Sequence, residues 1–277
     1  MDHSRITLLI SSFTIAILGG LFVTVPSAQA AELPASLINT AIAKEEDVLT
    51  ADQRKAILKE IISSSQSEID NLTATLNDLK LDEAWGVARD HFVATLATSS
   101  EYYASLETRL NKEDVPLEEI KSIAADLKTW RETTYSPALK EAGNLILIFQ
   151  TEAVHGVVQL RSVKIGNDIK KLDRQKLVNT EVLKKYLAQA EHSIKNARTL
   201  TNKAKDVYFI ESIAPLQPKQ KAAAKSATST VDETLTPAED TTPTDPQDQV
   251  RDLAKESIKE LKTAYELFFK MNDRIRK

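Results

Sequence analysis

Apolar residues recur through most of this chain at alternating spacings of four and three, the signature of helices that bury one seam against a partner helix. Leu58, Ile62, Ser65, Ile69, Leu72, Leu76 and Leu79 form the first such seam. Only Ser65, within Ser63-Ser64-Ser65, weakens it. Thr50, three residues before Gln53, predicts a capping box in which each side chain satisfies an otherwise unpaired backbone donor at the helix start. Asp82 is the next expected cap, and Trp85, Ala88, Phe92, Leu96, Ser99, Tyr103, Leu106 and Leu110 repeat the pattern as far as Asn111. Each helix would run about 40 Å at ~1.5 Å per residue. The short Lys80-Leu81 connection makes them antiparallel neighbours.

Pro116 suits the first turn of a third helix, because its missing N–H is not needed there. Ile120, Ile123, Leu127 and Trp130 mark the buried stripe. Ser136-Pro137 either restarts a helix or kinks the existing one. Residues 138–174 are the most apolar part of the chain beyond its first segment, centred on Leu145-Ile146-Leu147-Ile148-Phe149, and read as a central helix. A short apolar run also fits a strand, so that alternative stays open at 145–149. Asn144, Gln150, Glu152, His155 and Gln159 argue against a membrane span, since each is costly in hydrocarbon. Gly166-Asn167 either ends or bends this element.

A further helix is expected over 180–211, with Leu183, Leu187, Ala190, Ile194, Ala197, Thr201, Ala204 and Tyr208 on its seam. Alanine every seventh residue fills little space, so a neighbouring backbone can approach closely. From Pro215 the composition shifts to Pro, Thr, Ser, Ala and acids, which predicts a disordered linker. Val250, Ala254, Ile258, Leu261, Tyr265, Phe268 and Ile275 then form a final amphipathic helix, with Lys270, Arg274, Arg276 and Lys277 suiting its C-terminal dipole. A linker of about thirty residues spans roughly 30 Å, enough to return the helix to its own bundle or to carry it to another molecule.

The first thirty residues follow a different pattern. Ile6 to Val25 is almost wholly apolar, Gly19-Gly20 interrupts it, Pro26 breaks it, and Ser27-Ala28-Gln29-Ala30 supplies the small residues of an A-x-A cleavage site. This predicts a secretion signal, the processed chain beginning at Ala31-Glu32-Leu33. The rival is an uncleaved signal anchor, since the run approaches the ~20 residues that cross a bilayer. A short helix through Leu37, Ile38, Ala41 and Ile42 follows. The expected fold class is therefore all-α: an elongated antiparallel bundle of four to six helices with coiled-coil-like packing. Its domains are a signal peptide at 1–30, the bundle at 31–213, a Pro/Thr/acidic linker at 214–247 and the amphipathic helix at 248–277.

Composition narrows the chemistry. The 277 residues include no Cys, 5% aromatics and six Gly. An exported chain without disulfides must persist by packing alone. The same absence excludes a cysteine nucleophile, attached c-type haem, a zinc ribbon and a lipidated cysteine. Glu152-Ala153-Val154-His155 has the E-x-x-H spacing of carboxylate-bridged metal bundles. That site class needs a second copy, and neither His91 nor His192 has a Glu three residues before it. A hydrogen-bonded, half-buried His155 is the favoured reading. No G-x-S-x-G elbow or Gly-rich phosphate loop occurs. Acid pairs such as Glu118-Glu119 point in different directions on a helix and favour its dipole instead.

Net charge is −4, but its distribution says more. Glu32 to Glu152 carries −10 and Arg161 to Lys225 carries +9; Asp232 to Asp248 carries −6 and Arg251 to Lys277 carries +3. Acidic helices beside basic ones within one fold, or a basic face for envelope polyanions, both follow. The expected function is non-enzymatic: an exported binding, spacing or scaffold module at the cell envelope, working through helix–helix contacts with a protein partner or by self-association. Alternatives are a membrane-anchored extracytoplasmic adaptor and a metal- or ligand-binding bundle. No cofactor and no nucleic acid are expected. The expected partner contacts are Leu261, Tyr265 and Phe268 on the last helix, and the basic residues Lys170, Lys171, Arg174, Lys184 and Lys185, which suit an anionic polymer or lipid.

Overall fold

The computed structural model describes residues 49–176, 179–216 and 245–276, and these form six α-helices with no strand among them. They are α1 (Ala51–Asp78), α2 (Glu83–Leu110), α3 (Leu117–Trp130), α4 (Ser136–Gln175), α5 (Glu181–Tyr208) and α6 (Pro246–Arg276). The expected leader at 1–30, the short helix after it and most of the linker lie outside the described residues. Among those that are described, no helix is long and apolar enough to cross a membrane.

The caps act as the sequence suggests. The Gln53 amide donates to Thr50 Oγ1 at 3.2 Å while the Thr50 amide donates to Gln53 Oε1 at 2.8 Å, closing the box at the start of α1. Asp82 accepts from the Trp85 amide at 3.2 Å. Pro116 stands one step outside α3, as its N-cap. The Ser136-Pro137 alternative resolves as a modified continuation. Arg131–Tyr135 forms a π-helical turn that joins α3 to α4 without a break, and the Ser136 amide reaches back five residues to the Arg131 carbonyl. A proline at 137 cannot donate to the Thr133 carbonyl and crowds it, so a widened turn just before it relieves the ladder.

Forty residues of α4, about 60 Å at ~1.5 Å each, make it the spine of the molecule. Leu145–Phe149 is helical and Gly166-Asn167 passes without interruption, Gly166 leaving room for Leu187 of α5, whose Cδ2 would stand 3.3 Å from an added Cβ. Two apolar clusters line up along this spine. In the first, α1, α2 and α3 enclose the N-terminal part of α4 through Leu58, Ile62, Leu72, Phe92, Leu106, Ile123 and Leu145. In the second, the C-terminal part of α4 meets α5 and α6 through Val158, Ile165, Ile194, Ala197, Leu261 and Phe268. Every seam residue expected on α2 is buried, and so are those of α1 up to Leu76.

Helices α5 and α6 share the most extensive helix contact in the molecule and run antiparallel. The alanine repeat explains how. Ala190, Ala197 and Ala204 are fully buried, opposite a seam of Val250, Ala254, Ser257, Leu261, Ala264, Phe268 and Met271. This seam departs from the expected one at three positions: Ser257, Ala264 and Met271 face inward, whereas Ile258, Tyr265 and Ile275 are half-buried. Ser257 Oγ donates to the Ala197 carbonyl of α5 at 2.8 Å and lies 2.8 Å from Thr201 Oγ1. A side chain that short can reach another helix's backbone only where the two axes lie close together. The start of α6 is clamped as well. Lys140 of α4 pairs with Asp245 and Asp248 at 2.6 and 2.8 Å, and the buried Asn144 amide donates to the backbone and side-chain oxygens of Gln247.

Candidate helix-docking face

One seam on α4 runs through both halves of the molecule. Tyr135, Leu139, Ala142, Ile146, Phe149, Ala153, Gly156, Leu160 and Val163 follow one another at spacings of four and three. Up to Phe149 the seam is covered: Tyr135, Ala142 and Ile146 are buried, and Phe149 packs edge-on against Trp85 of α2 with ring centroids 5.1 Å apart. There the α1–α2 hairpin ends. Beyond it Ala153, Gly156, Leu160 and Val163 lie exposed, Leu160 at 74% and Val163 at 53% of full accessibility. An added Cβ on Gly156 would meet nothing within 4 Å.

This bare strip faces away from α5 and α6, because Val158, Ser162, Ile165 and Ile169 on the opposite side of α4 fill the second core. Scattered apolar residues on a surface are ordinary, whereas a stripe at heptad spacing has the form of half a helix pair. Fully covering a Leu or Val side chain stabilises by about 1.5–3 kcal/mol. The stripe is closed off at its upper end by Lys205, whose ammonium lies 4.8 Å from the Phe149 ring centre and 5.4 Å from that of Trp85, and which pairs with Glu152 at 3.0 Å.

Below Val163 the same face turns basic with Asn167, Lys170 and Arg174, and the expected basic cluster gathers where α4 ends and α5 begins. Lys170, Lys171, Arg174, Lys184 and Lys185 are all exposed there. Two of them are engaged: Lys171 with Asp168 at 3.1 Å, and Lys184 with Asp173 and Glu181 at 3.2 and 3.1 Å. Hydrogen bonds from Thr180 and then Lys184 hold the Asp173 carboxyl below its usual range. Exposed pairs of this kind add little stability.

The apolar residues expected to contact a partner sit differently. Leu261 and Phe268 are each 2% exposed inside the chain's own second core, and Tyr265 packs half-buried beside them with Arg161 over its ring at 5.7 Å. The face they form is therefore already occupied by α4 and α5. Leu160 and Val163 do not stand out in the sequence because 138–174 carries apolar residues on more than one side of the helix. The four-three spacing from Tyr135 to Val163 was the available signal.

Two buried polar features lie elsewhere in the bundle. His155 is half-buried, its ring Nε2 hydrogen-bonding to the Ile194 carbonyl at 3.2 Å, and desolvation lowers its pKa. Glu152 turns instead to Lys205, so the E-x-x-H pair is divided between two partners. Among the described residues no group of three or more His, Asp or Glu is placed to hold a metal ion. Arg131, in the π turn, is 4% exposed and donates to Ser65 Oγ at 2.6 Å and Tyr103 Oη at 3.3 Å; its guanidinium lies 5.0 Å from the centre of the Tyr135 ring. Tyr135 donates in turn to Glu68 at 2.6 Å. Burial pushes the Tyr103 phenol up to about 12. The weak point in the α1 seam thus has a purpose, since Ser65 accepts the bond of a buried arginine. With Arg131, Tyr103 and Tyr135 closed to solvent, this network ties helices together.

Compared with known proteins, the chain matches no family model, no curated protein and no solved structure.

Proposed function

We propose that this chain is an exported, non-enzymatic helical module that serves at the cell envelope as a spacer or scaffold and recognises a helical partner through the outer face of α4. One observation carries the reading: a single heptad seam is covered by helices along its first half and bare along its second. A half-filled seam is a recognition surface of the same kind that holds the rest of the molecule together, an amphipathic helix face awaiting its complement. The 40-residue spine fixes the spacing between the acidic α1–α3 end and the basic α4–α5 end. Export rests on the apolar run and A-x-A site before Ala31.

Cell fractionation with intact-mass measurement, combined with a photo-crosslinking residue placed at Leu160 or at Glu60 as an exposed control, tests both parts. A processed chain outside the cytoplasm that crosslinks from position 160 and not from 60 is the expected result. Retention in the cytoplasm overturns the export half, and equal or absent crosslinking from both positions overturns the recognition half. An unprocessed mass in the membrane fraction would instead identify the anchored adaptor.

A further inference from the structure

The bare face of α4 has a property that selects its occupant: it is complementary to itself when reversed. We propose that it pairs with the same face of a second copy of this chain, the two α4 helices running antiparallel about a two-fold axis between Leu160 and Val163. This rests on the reading of the outer α4 face as a contact surface and names the partner.

Length and charge both support the match. An axis at that point sets Leu160 against Val163 of the second copy, Gly156 against Asn167, Ala153 against Lys170 and Glu152 against Lys171. Arg174 comes level with Phe149, and Gln175, where α4 ends, with Ile148. That is where cover by the α1–α2 hairpin begins, at the contact of Trp85 with Phe149. The bare length is thus matched by an equal length of α4, roughly 34 Å at ~1.5 Å per residue.

Reversal also brings opposite charges together. The basic end of one copy, with Lys170, Lys171 and Arg174, arrives beside Glu152 and the exposed acids Asp78, Asp82 and Glu83 at the hairpin tip of the other. A parallel arrangement would align like with like, which complementary potentials disfavour. An isologous pairing of this sort closes on itself as a dimer and leaves no repeating surface for a filament.

Sedimentation of the processed chain over a concentration series, at low and high salt, tests the proposal together with thiol crosslinking in the naturally cysteine-free background. The expected result is a monomer–dimer equilibrium that weakens with salt. Leu160→Asp with Val163→Asp should raise the dissociation constant at least about tenfold. In dilute solution, where both chains are monomeric, its melting temperature should match the parent's, since both side chains lie outside the monomer core. Mixing Ala153→Cys with Lys170→Cys chains should give a disulfide-linked pair under mild oxidation, and Ala153→Cys alone should not. A monomer at every concentration, or crosslinking of Ala153→Cys to itself, overturns the proposal. If the chain is monomeric yet position 160 crosslinks to a different protein in cells, the second copy is wrong while the contact face stands. If neither occurs, both fall.

Discussion

Replacing Ser257 by leucine probes the most extensive helix contact among the described residues, that of α5 with α6. Its side chain is fully buried where α6 crosses α5, donates to the Ala197 carbonyl at 2.8 Å and lies 2.8 Å from Thr201 Oγ1. Alanine at this position removes the bond to the Ala197 carbonyl and the contact with Thr201, and little volume. Thr201 keeps its own bond to the Ala197 carbonyl at 3.0 Å, so no buried hydroxyl is stranded. At about 0.5–1.5 kcal/mol per bond, Ser257→Ala should cost about 0.5–1.5 kcal/mol. Leucine must also fit an isobutyl group between backbones spaced for alanine and serine. Overpacking adds about 1–3 kcal/mol, giving about 1.5–4.5 kcal/mol in all. Urea unfolding followed by circular dichroism reads this directly. With a slope of about 1–3 kcal/mol per molar urea, Ser257→Leu should lower the midpoint by about 1 M or more, and Ser257→Ala by clearly less. A leucine variant within about 0.2 M of the parent would show that α6 does not lie against α5 in this register.

Three further outcomes follow from the same packing. Arg131→Ala should destabilise by about 2–5 kcal/mol because it removes the donor to Ser65 and Tyr103 and opens a cavity, whereas Arg131→Met, which loses the same donor but keeps the space filled, should cost less by the cavity share; equal losses in chemical denaturation would contradict the burial of Arg131. Gly143→Ala should stabilise by about 0.5–1 kcal/mol, since an added Cβ meets nothing within 4 Å and alanine favours the helix; a lower unfolding midpoint would contradict it. His155 has a folded pKa below its unfolded value near 6.5, so the unfolded chain takes up the proton first and stability must decline as pH falls through that value. Unfolding midpoints at about pH 7.5 and pH 5 should therefore diverge less in His155→Gln than in the parent, and identical divergence would sink the assignment.

Much of the fold was legible because a seam of fixed period specifies which residues face inward without specifying what they face. All eight α2 positions from Trp85 to Leu110 behave this way, as do the caps at Thr50 and Asp82. Three features were not legible, for different reasons. At Ser257 the four-residue step to Ile258 looked better on apolarity, but close approach favours a small residue that can bond across the crossing. At Leu160 and Val163 the four-three spacing continues a buried seam, and whether burial continues with it depends on where the α1–α2 hairpin stops. That is a property of the assembled molecule. The role of Arg131 was equally hidden, because a π turn shifts the register and brings an arginine onto the seam between Leu127 and Tyr135.

Thiol reactivity along α4 tests the half-covered seam most directly, because the chain contains no cysteine of its own. Single variants Ala142→Cys and Leu160→Cys, assayed as dilute monomer with a water-soluble thiol reagent, place a probe on each half of the same stripe. Ala142→Cys should react only as fast as the protein unfolds, and Leu160→Cys nearly as fast as in urea. Protection of the cysteine at 160 in the monomer, or free reaction at 142, would contradict the claim that α4 carries one seam, filled at one end and open at the other.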